Sequence, residues 1–313
     1  MIMQSKIYLE DMNFVAACSS IDWEKLRNKN ILVTGGTGLI GSTLINALLY
    51  ANDKKHLHLQ VVALVRNIEK ARTIFGEHNS LKLVVGTVEK LPDLDMPIDY
   101  IVHGASPTAS AFFVEHPVET IKTAVTGTIN LLEIAVKKCV QGFVYLSSME
   151  VYGAPHTDDV IPETQGTTID TMSVRSCYPE AKRMCESLCA SYASEYKVPA
   201  MAIRLAQTFG AGVAADDVRV FAEFARCAVH KQDIVLQTAG TSKRCYLYTA
   251  DAVTAILTIL LAGKAGEAYN VANRDTYCSI VEMAHMVSEK LSDGAIKVHV
   301  PTDGKHEQKF PPP

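Results

Sequence analysis

The stretch "ILVTGGTGLIGS", Ile31 to Ser42, places four glycines within seven residues, between one apolar run and another. The residues before the turn, "NILVTG" (Asn30–Gly35), read as a buried strand, and "LIGSTLINALLYAN" (Leu39–Asn52) reads as a helix. Gly36, Gly38 and Gly41 fit G-x-G-x-x-G, while Gly35, Gly38 and Gly41 fit G-x-x-G-x-x-G. Both patterns serve the same purpose. One glycine permits a tight turn, a second lets backbone N–H groups approach a pyrophosphate, and the last lets the helix pack close to the strand with its N-terminus facing the anion. A glycine-rich turn can also be a plain connector. Here the strand–turn–helix context favours dinucleotide binding.

Further strands follow at intervals. "QVVALVR" (Gln60–Arg66), "LKLVVG" (Leu81–Gly86), "IDYIVHGAS" (Ile98–Ser106), "GFVYLSS" (Gly142–Ser148) and "PAMAIRLA" (Pro199–Ala206) are apolar runs of strand length. Between them, Pro117–Cys139 carries Ile121, Val125, Ile129 and Leu132 at helical spacing behind an initial proline. Ser176–Tyr196 reads as a second long helix, with Pro179 in its first turn. Continuous apolar strands alternating with helices predict an α/β fold, a Rossmann-type doubly wound parallel sheet covered on both faces. The pattern loosens after Thr208. The expected organisation is a leader over 1–29, a dinucleotide-binding domain over 30–206, and over 207–313 mostly a small C-terminal α/β substrate lobe interleaved with the main domain. The last residues, "KFPPP", read as an abrupt, unstructured end.

The composition narrows the function. With 313 residues, 48% of them hydrophobic, the chain can bury a substantial core. A formal net charge of −4 with no basic run argues against a nucleic-acid track. The acids of "MIMQSKIYLEDMNF" interrupt any signal-peptide core, and "AVTAILTILLAG" (Ala252–Gly263) is too short to span a bilayer, so it is expected to form a buried helix in a soluble protein. The eight cysteines form no C-x-x-C pair. Cys185 and Cys189 could share a helix face, but two thiols make no metal site, and free thiols suit a reducing cytoplasm.

The downstream chemistry centres on "YPEAK", which puts Tyr178 and Lys182 on one helix face. A phenol ordinarily ionises near pH ~10. A neighbouring ammonium and a cationic nicotinamide would each favour the phenolate, letting Tyr178 take a proton from a substrate hydroxyl. "YLSSMEVYG" ends the fifth strand, and ligands of open parallel sheets sit at the carboxyl ends of strands. Ser148 is thus placed to hydrogen-bond the same substrate oxygen. Glu150 is either a second titratable group in the pocket or a surface carboxylate. Arg66, at the end of the second strand where NAD-selective proteins place an acid, could accept a 2′-phosphate, stack on adenine, or be a solvated cation.

Taken together, "TGGTGLIG", "SSMEVYG" and "YPEAK" resemble the extended short-chain dehydrogenase/reductase superfamily, in particular its nucleotide-sugar epimerases, dehydratases and decarboxylases. The resemblance covers roughly Asn30 to Asn273. "RSCYPEAKR" (Arg175–Arg183) is similar to the tyrosine-helix motif of UDP-glucuronate decarboxylases, as are "HPVETIKTAVTGTINLLEIA" and "SKRCYLY" (Ser242–Tyr248). The resemblance implies NAD or NADP as cofactor, held by Gly35, Thr37, Gly38, Leu39, Ile40 and Gly41, with Arg66, Val88, Ala105 and Lys182. It also implies Ser148, Glu150, Tyr178 and Lys182 as catalytic groups, Ser148, Gln207 and Arg244 as contacts to a nucleotide sugar, no metal, and a homodimer formed through the two long helices. Met149 departs from the residue types at its position in dehydratases and decarboxylases, and Thr87 from a common adenine-contacting Asp. The leader and Arg66 are also similar to relatives from surface-polysaccharide gene clusters. The implied activity is transient oxidation at C4 followed by decarboxylation. Alternatives are 4-epimerisation, 4,6-dehydration, a net NADP-dependent reduction, or a non-catalytic dinucleotide sensor.

Overall fold

A computed structural model describes residues 5–154 and 157–301, so the "KFPPP" end lies outside the described residues. The chain opens with helix α1 (Lys6–Ala17), then runs β1 (Asn30–Thr34), α2 (Leu39–Lys55), β2 (Gln60–Val65), α3 (Ile68–Phe75), β3 (Leu81–Val85) and β4 (Tyr100–His103). It continues through α4 (Ser110–Glu115), α5 (Pro117–Lys138), β5 (Gly142–Ser148), α6 (Cys177–Tyr196) and β6 (Ala200–Leu205). The remainder comprises β7 (Gln207–Phe209), α7 (Val220–His230), β8 (Ile234–Val235), β9 (Lys243–Tyr248), α8 (Thr249–Ala262), β10 (Ala268–Val271), β11 (Asn273–Ser279), α9 (Ile280–Ser292) and β12 (Val298–His299).

Seven strands form one sheet in the order β10-β6-β5-β4-β1-β2-β3, and every neighbouring pair is parallel. The alternation within each strand shows why both faces are covered. In β1, Ile31 and Val33 belong to a core shared with Leu44, Leu48, Ile256 and Leu257 of α2 and α8, whereas Leu32 belongs to a second core with Leu131, Leu132 and Cys185 of α5 and α6. A strand with both faces buried gains nothing from polar alternation, which is why these runs are apolar throughout. The strand order reverses at β1, which lies between β2 and β4. A crevice therefore opens beyond the carboxyl ends of β1 and β4.

Segments late in the chain return to this sheet. The apolar run read as a buried helix is α8, whose Val253, Ile256 and Leu257 are fully buried, and β10 pairs with β6. The smaller part has a three-stranded sheet, β11-β9-β7, a two-stranded sheet, β12-β8, and a core of its own around Phe224, Ile234, Tyr246 and Met283. The leader is ordered against the main body. Ser5 caps α1, Met12 and Val15 are buried, Asn46 of α2 donates to the Tyr8 hydroxyl at 2.7 Å, and Tyr248 donates to Asp11 at 2.9 Å.

Candidate active site

Three glycines of the opening turn are there for close approach. Gly35 has φ +73°, and a Cβ on it would lie 2.6 Å from the Gly104 carbonyl carbon beyond β4. A Cβ on Gly41 would meet the Gly35 carbonyl oxygen, and one on Gly36 would meet Ile45 at 2.7 Å. Gly38 caps α2 and donates its N–H to the Gly35 carbonyl at 3.0 Å, which leaves Thr37 at the turn and Leu39, Ile40 and Gly41 in the first helical turn. The orphan N–H groups of that turn point out of the helix, where the dipole favours an anion. Across the crevice, Ala105 donates to Thr34 Oγ1 at 3.2 Å, while the Ser106 hydroxyl oxygen is buried without a partner among the described residues. A glycine cradle beside an unsatisfied hydroxyl fits a dinucleotide.

Below the crevice, His103 is held neutral. Burial, with the Lys182 charge adding to it, lowers its pKa to about 3, and its ring bonds Thr34 and Thr128. Val88 faces inward, packed on Gly127 of α5, so only its backbone could meet a ligand. Arg66 follows β2 and is exposed. It helps hold the nearby Glu89 carboxylate below its ordinary value. Burial acts in the opposite sense on Glu89, but hydrogen bonds from Thr123, its own backbone and Thr87, with the Arg66 charge, outweigh it.

The reactive groups converge where β5 ends and α6 begins. Ser148 is the last residue of β5, and its hydroxyl accepts the Glu150 N–H at 3.2 Å, starting a 3-10 turn over Met149–Tyr152. Tyr178 and Lys182 occupy successive turns of α6 and are 8% and 4% exposed. The Lys182 Nζ donates to the Leu146 carbonyl at 2.7 Å and lies 5.5 Å from the centre of the Tyr178 ring. The Tyr178 phenol is raised well above the usual tyrosine value by desolvation, then by the Glu150 charge, with the Ser148 hydroxyl and Arg175 opposing. Desolvation also lowers Lys182 to about 8, against the pull of Cys185, Glu186 and Glu150.

Glu150 is not a free surface carboxylate. Arg175 donates to it at 2.8 Å, and the two side chains are 12% and 17% exposed respectively. Arg244, half-buried in β9, feels both of them. Its desolvation lowers its pKa, Tyr246 and Glu150 counter, and Arg175 reinforces the lowering. Among the described residues, no ion pair is formed by Arg244. Gln207 opens β7 and pairs in register with Tyr246 of β9, two residues along from Arg244.

The structure adds groups that the sequence reading missed. Phe113 of α4 stacks on Tyr178 with ring centres 4.3 Å apart, and the Arg175 guanidinium lies 4.9 Å from the Phe113 ring. No periodic signal marks "SAFFVE" as part of a site. Behind β5, Ser147 donates to Glu186 at 2.5 Å, Arg204 pairs with Glu186 at 2.7 Å, and Arg204 also reaches the Tyr152 hydroxyl. This network borders a cavity of about 360 Å³, and Tyr178 is not among the residues that line it.

A glycine cradle at a strand-order reversal, with a buried Tyr–Lys pair where β5 ends and α6 begins, is the arrangement expected of a dinucleotide-dependent enzyme of the extended short-chain dehydrogenase type. The profile of the NAD dependent epimerase/dehydratase family matches residues 31–272, and the chain belongs to that family. NAD or NADP is accordingly its cofactor. Among its relatives, UDP-glucuronic acid decarboxylase 6 of Arabidopsis thaliana is 31% identical, over 91% of this chain and 81% of that protein. UDP-glucuronic acid decarboxylase 1 of Xenopus tropicalis is 28% identical, over 85% and 61%. An epimerase of Methanothermobacter thermautotrophicus shares the fold with a TM-score of 0.75 at 22% identity, covering 91% of this chain and 84% of that one. The dTDP-glucose 4,6-dehydratase of Bacillus anthracis, solved with NAD, gives 0.70 at 21%, covering 88% and 85%. No helix among the described residues is long and apolar enough to cross a membrane.

Proposed function

We propose that this protein is a UDP-glucuronate decarboxylase-like enzyme that works through transient oxidation at C4 of the sugar. The observation carrying this reading is the charge count beside Tyr178. Arg175 is occupied by Glu150, which leaves Arg244 as a half-buried guanidinium without a carboxylate partner among the described residues. A half-buried guanidinium without a carboxylate partner gains from an anionic ligand. A sugar nucleotide carrying its own carboxylate supplies one. The decarboxylase relatives support the same reading.

The dinucleotide, when bound, would supply a reversible acceptor for the hydride from C4. Tyr178 takes the proton of the 4-hydroxyl, and Ser148 holds that oxygen. The resulting C4 ketone is β to the carboxylate. When the C5–C6 bond breaks, its electron pair passes into the ketone as an enolate, carbon dioxide leaves, and C5 gains a proton. Tyr178 then returns its proton as C4 is reduced. Gln207 and Arg244 bind the sugar nucleotide. A 4-epimerase would share the first step, and the same assay separates the two. Incubation with UDP-glucuronate is expected to release carbon dioxide and a UDP-pentose; a UDP-hexuronate epimer, or no product, removes the decarboxylase reading.

We infer NAD as the dinucleotide, because Glu89 beside Arg66 opposes capture of a dianionic 2′-phosphate there. Tighter binding of NADP in a direct competition would reverse this. We also infer a homodimer through α5 and α6, supported by the exposed Val118, Ile121, Met184 and Tyr196 on those helices. Sedimentation as a monomer at micromolar concentration would contradict it. The eight free thiols support a reducing compartment such as the cytoplasm.

A further inference from the structure

Phe113 sits in the middle of an unusual column. Its ring is 1% exposed, and one face stacks on Tyr178 at 4.3 Å with the ring planes 14° apart. The Arg175 guanidinium carbon lies 4.9 Å from the ring centre, and Arg175 holds the Glu150 carboxylate at 2.8 Å. The column is pinned from the side, because the Cys177 thiol donates to the Phe113 carbonyl at 3.3 Å. Tyr178 and Arg175 thus pack on the same ring, and Arg175 in turn holds Glu150. A ring that meets both an aromatic and a cation gains from each.

We propose that Arg175 and Phe113 are positioning residues for proton transfer: Arg175 holds Glu150 in place and screens its charge from Tyr178, and Phe113 fixes the spacing between them. The proposal rests on Tyr178 as the proton acceptor, but not on the identity of the sugar.

The surroundings of Tyr178 give this column a task. From its own helix it is faced by Lys182 and Cys177, from β5 by the buried Tyr145 phenol and at its end by Ser148 and Glu150, from the turn before α6 by Arg175, and from α4 by the uncharged Phe113. Arg244 of β9 acts on the same group of charges through Glu150 and Arg175. After burial, the carboxylate of Glu150 is the largest influence opposing the phenolate, while Arg175 acts in its favour. A base that must ionise beside a carboxylate needs that carboxylate neutralised, and a guanidinium hydrogen-bonded to it and held against Phe113 does so.

The test is a pH titration of the NAD-loaded protein, following phenolate absorbance with Tyr178→Phe as the subtraction. Arg175→Met is expected to move the Tyr178 titration upward by on the order of one pH unit, and Arg175→Lys by much less. Glu150→Gln is expected to move it downward. In the Glu150→Gln background, Arg175→Met should shift it by clearly less, the remainder being the guanidinium's own attraction for the phenolate. Phe113→Leu, which keeps the volume apolar, should move the titration in the same direction as Arg175→Met. An unmoved titration in Arg175→Met, or a shift equally large with Glu150 removed, overturns the screening role. An unmoved titration in Phe113→Leu overturns the spacing role. Because no sugar is present, these outcomes stand apart from the decarboxylation assay.

Discussion

Around Gly35 the protein is shaped by backbone; around Tyr178 it is shaped by side-chain charge. The cradle works by what it omits. Side chains at Gly35 and Gly41 would collide with the Gly104 and Gly35 carbonyl groups, and on the proposed reading the space they leave admits a pyrophosphate to the N-terminus of α2. The reactive cluster works by what it buries. Tyr178 and Lys182 are both nearly inaccessible, with desolvation pushing the phenol up and the amine down. Binding sites made of backbone tolerate changes of pH, whereas a cluster of buried ionisable groups is a pH-dependent device. The two regions should therefore fail differently when perturbed.

The largest expected effect is in the cluster. Tyr178→Phe should lower kcat by roughly 10³-fold, within the usual range for losing a general acid–base group, while the affinity for the dinucleotide stays as it was. Equal loss of both would erase the distinction between the regions. Next comes Lys182. Its folded value of about 8 lies below that of an unfolded lysine. Between the two the unfolded chain holds the extra proton, so stability of the dinucleotide-free protein rises with pH across that window. The rise should amount to about 2 kcal/mol between pH ~7.5 and ~10, and Lys182→Met should lack it when unfolding by denaturant is compared at those two values. In the cradle, Gly41→Ala should weaken dinucleotide binding by about 2 kcal/mol, roughly 30-fold, with no change in the shape of the pH–rate profile. Arg244→Met should raise KM for a carboxylate-bearing sugar nucleotide roughly tenfold and leave a neutral analogue almost unaffected, sharpening the comparison to a single substrate charge.

How much of this was legible in the sequence follows the same division. The cradle could be read because its requirements are local. An apolar strand, a glycine turn and a helix lie within Asn30–Lys55, and β1, β2, β3 and β5 begin where their apolar runs begin. Tyr178 and Lys182 could be read because four residues set one helix face. The rest depends on chain segments meeting at a distance. Phe113 reaches Tyr178 from 65 positions away, and Arg175 finds Glu150 from 25 positions away, so no spacing rule reveals either. β10 escaped notice for a different reason. It is an edge strand with all four residues half-buried, so it lacks the apolar run that marks the inner strands. The orientation of Lys182 toward the Leu146 carbonyl was equally hidden, and it determines how much the amine can do for the phenol before a dinucleotide binds.

The central claim is that one residue pair and one bound dinucleotide oxidise C4 and reduce it again within a single turnover. UDP-glucuronate carrying deuterium at C4 tests this most directly, with the product read by mass spectrometry and NMR. The expected result is a UDP-pentose that keeps the deuterium at C4 and carries a solvent-derived hydrogen at C5, with no net change in the cofactor. A product that has lost the label at C4, or cofactor consumed in proportion to turnover, would contradict it.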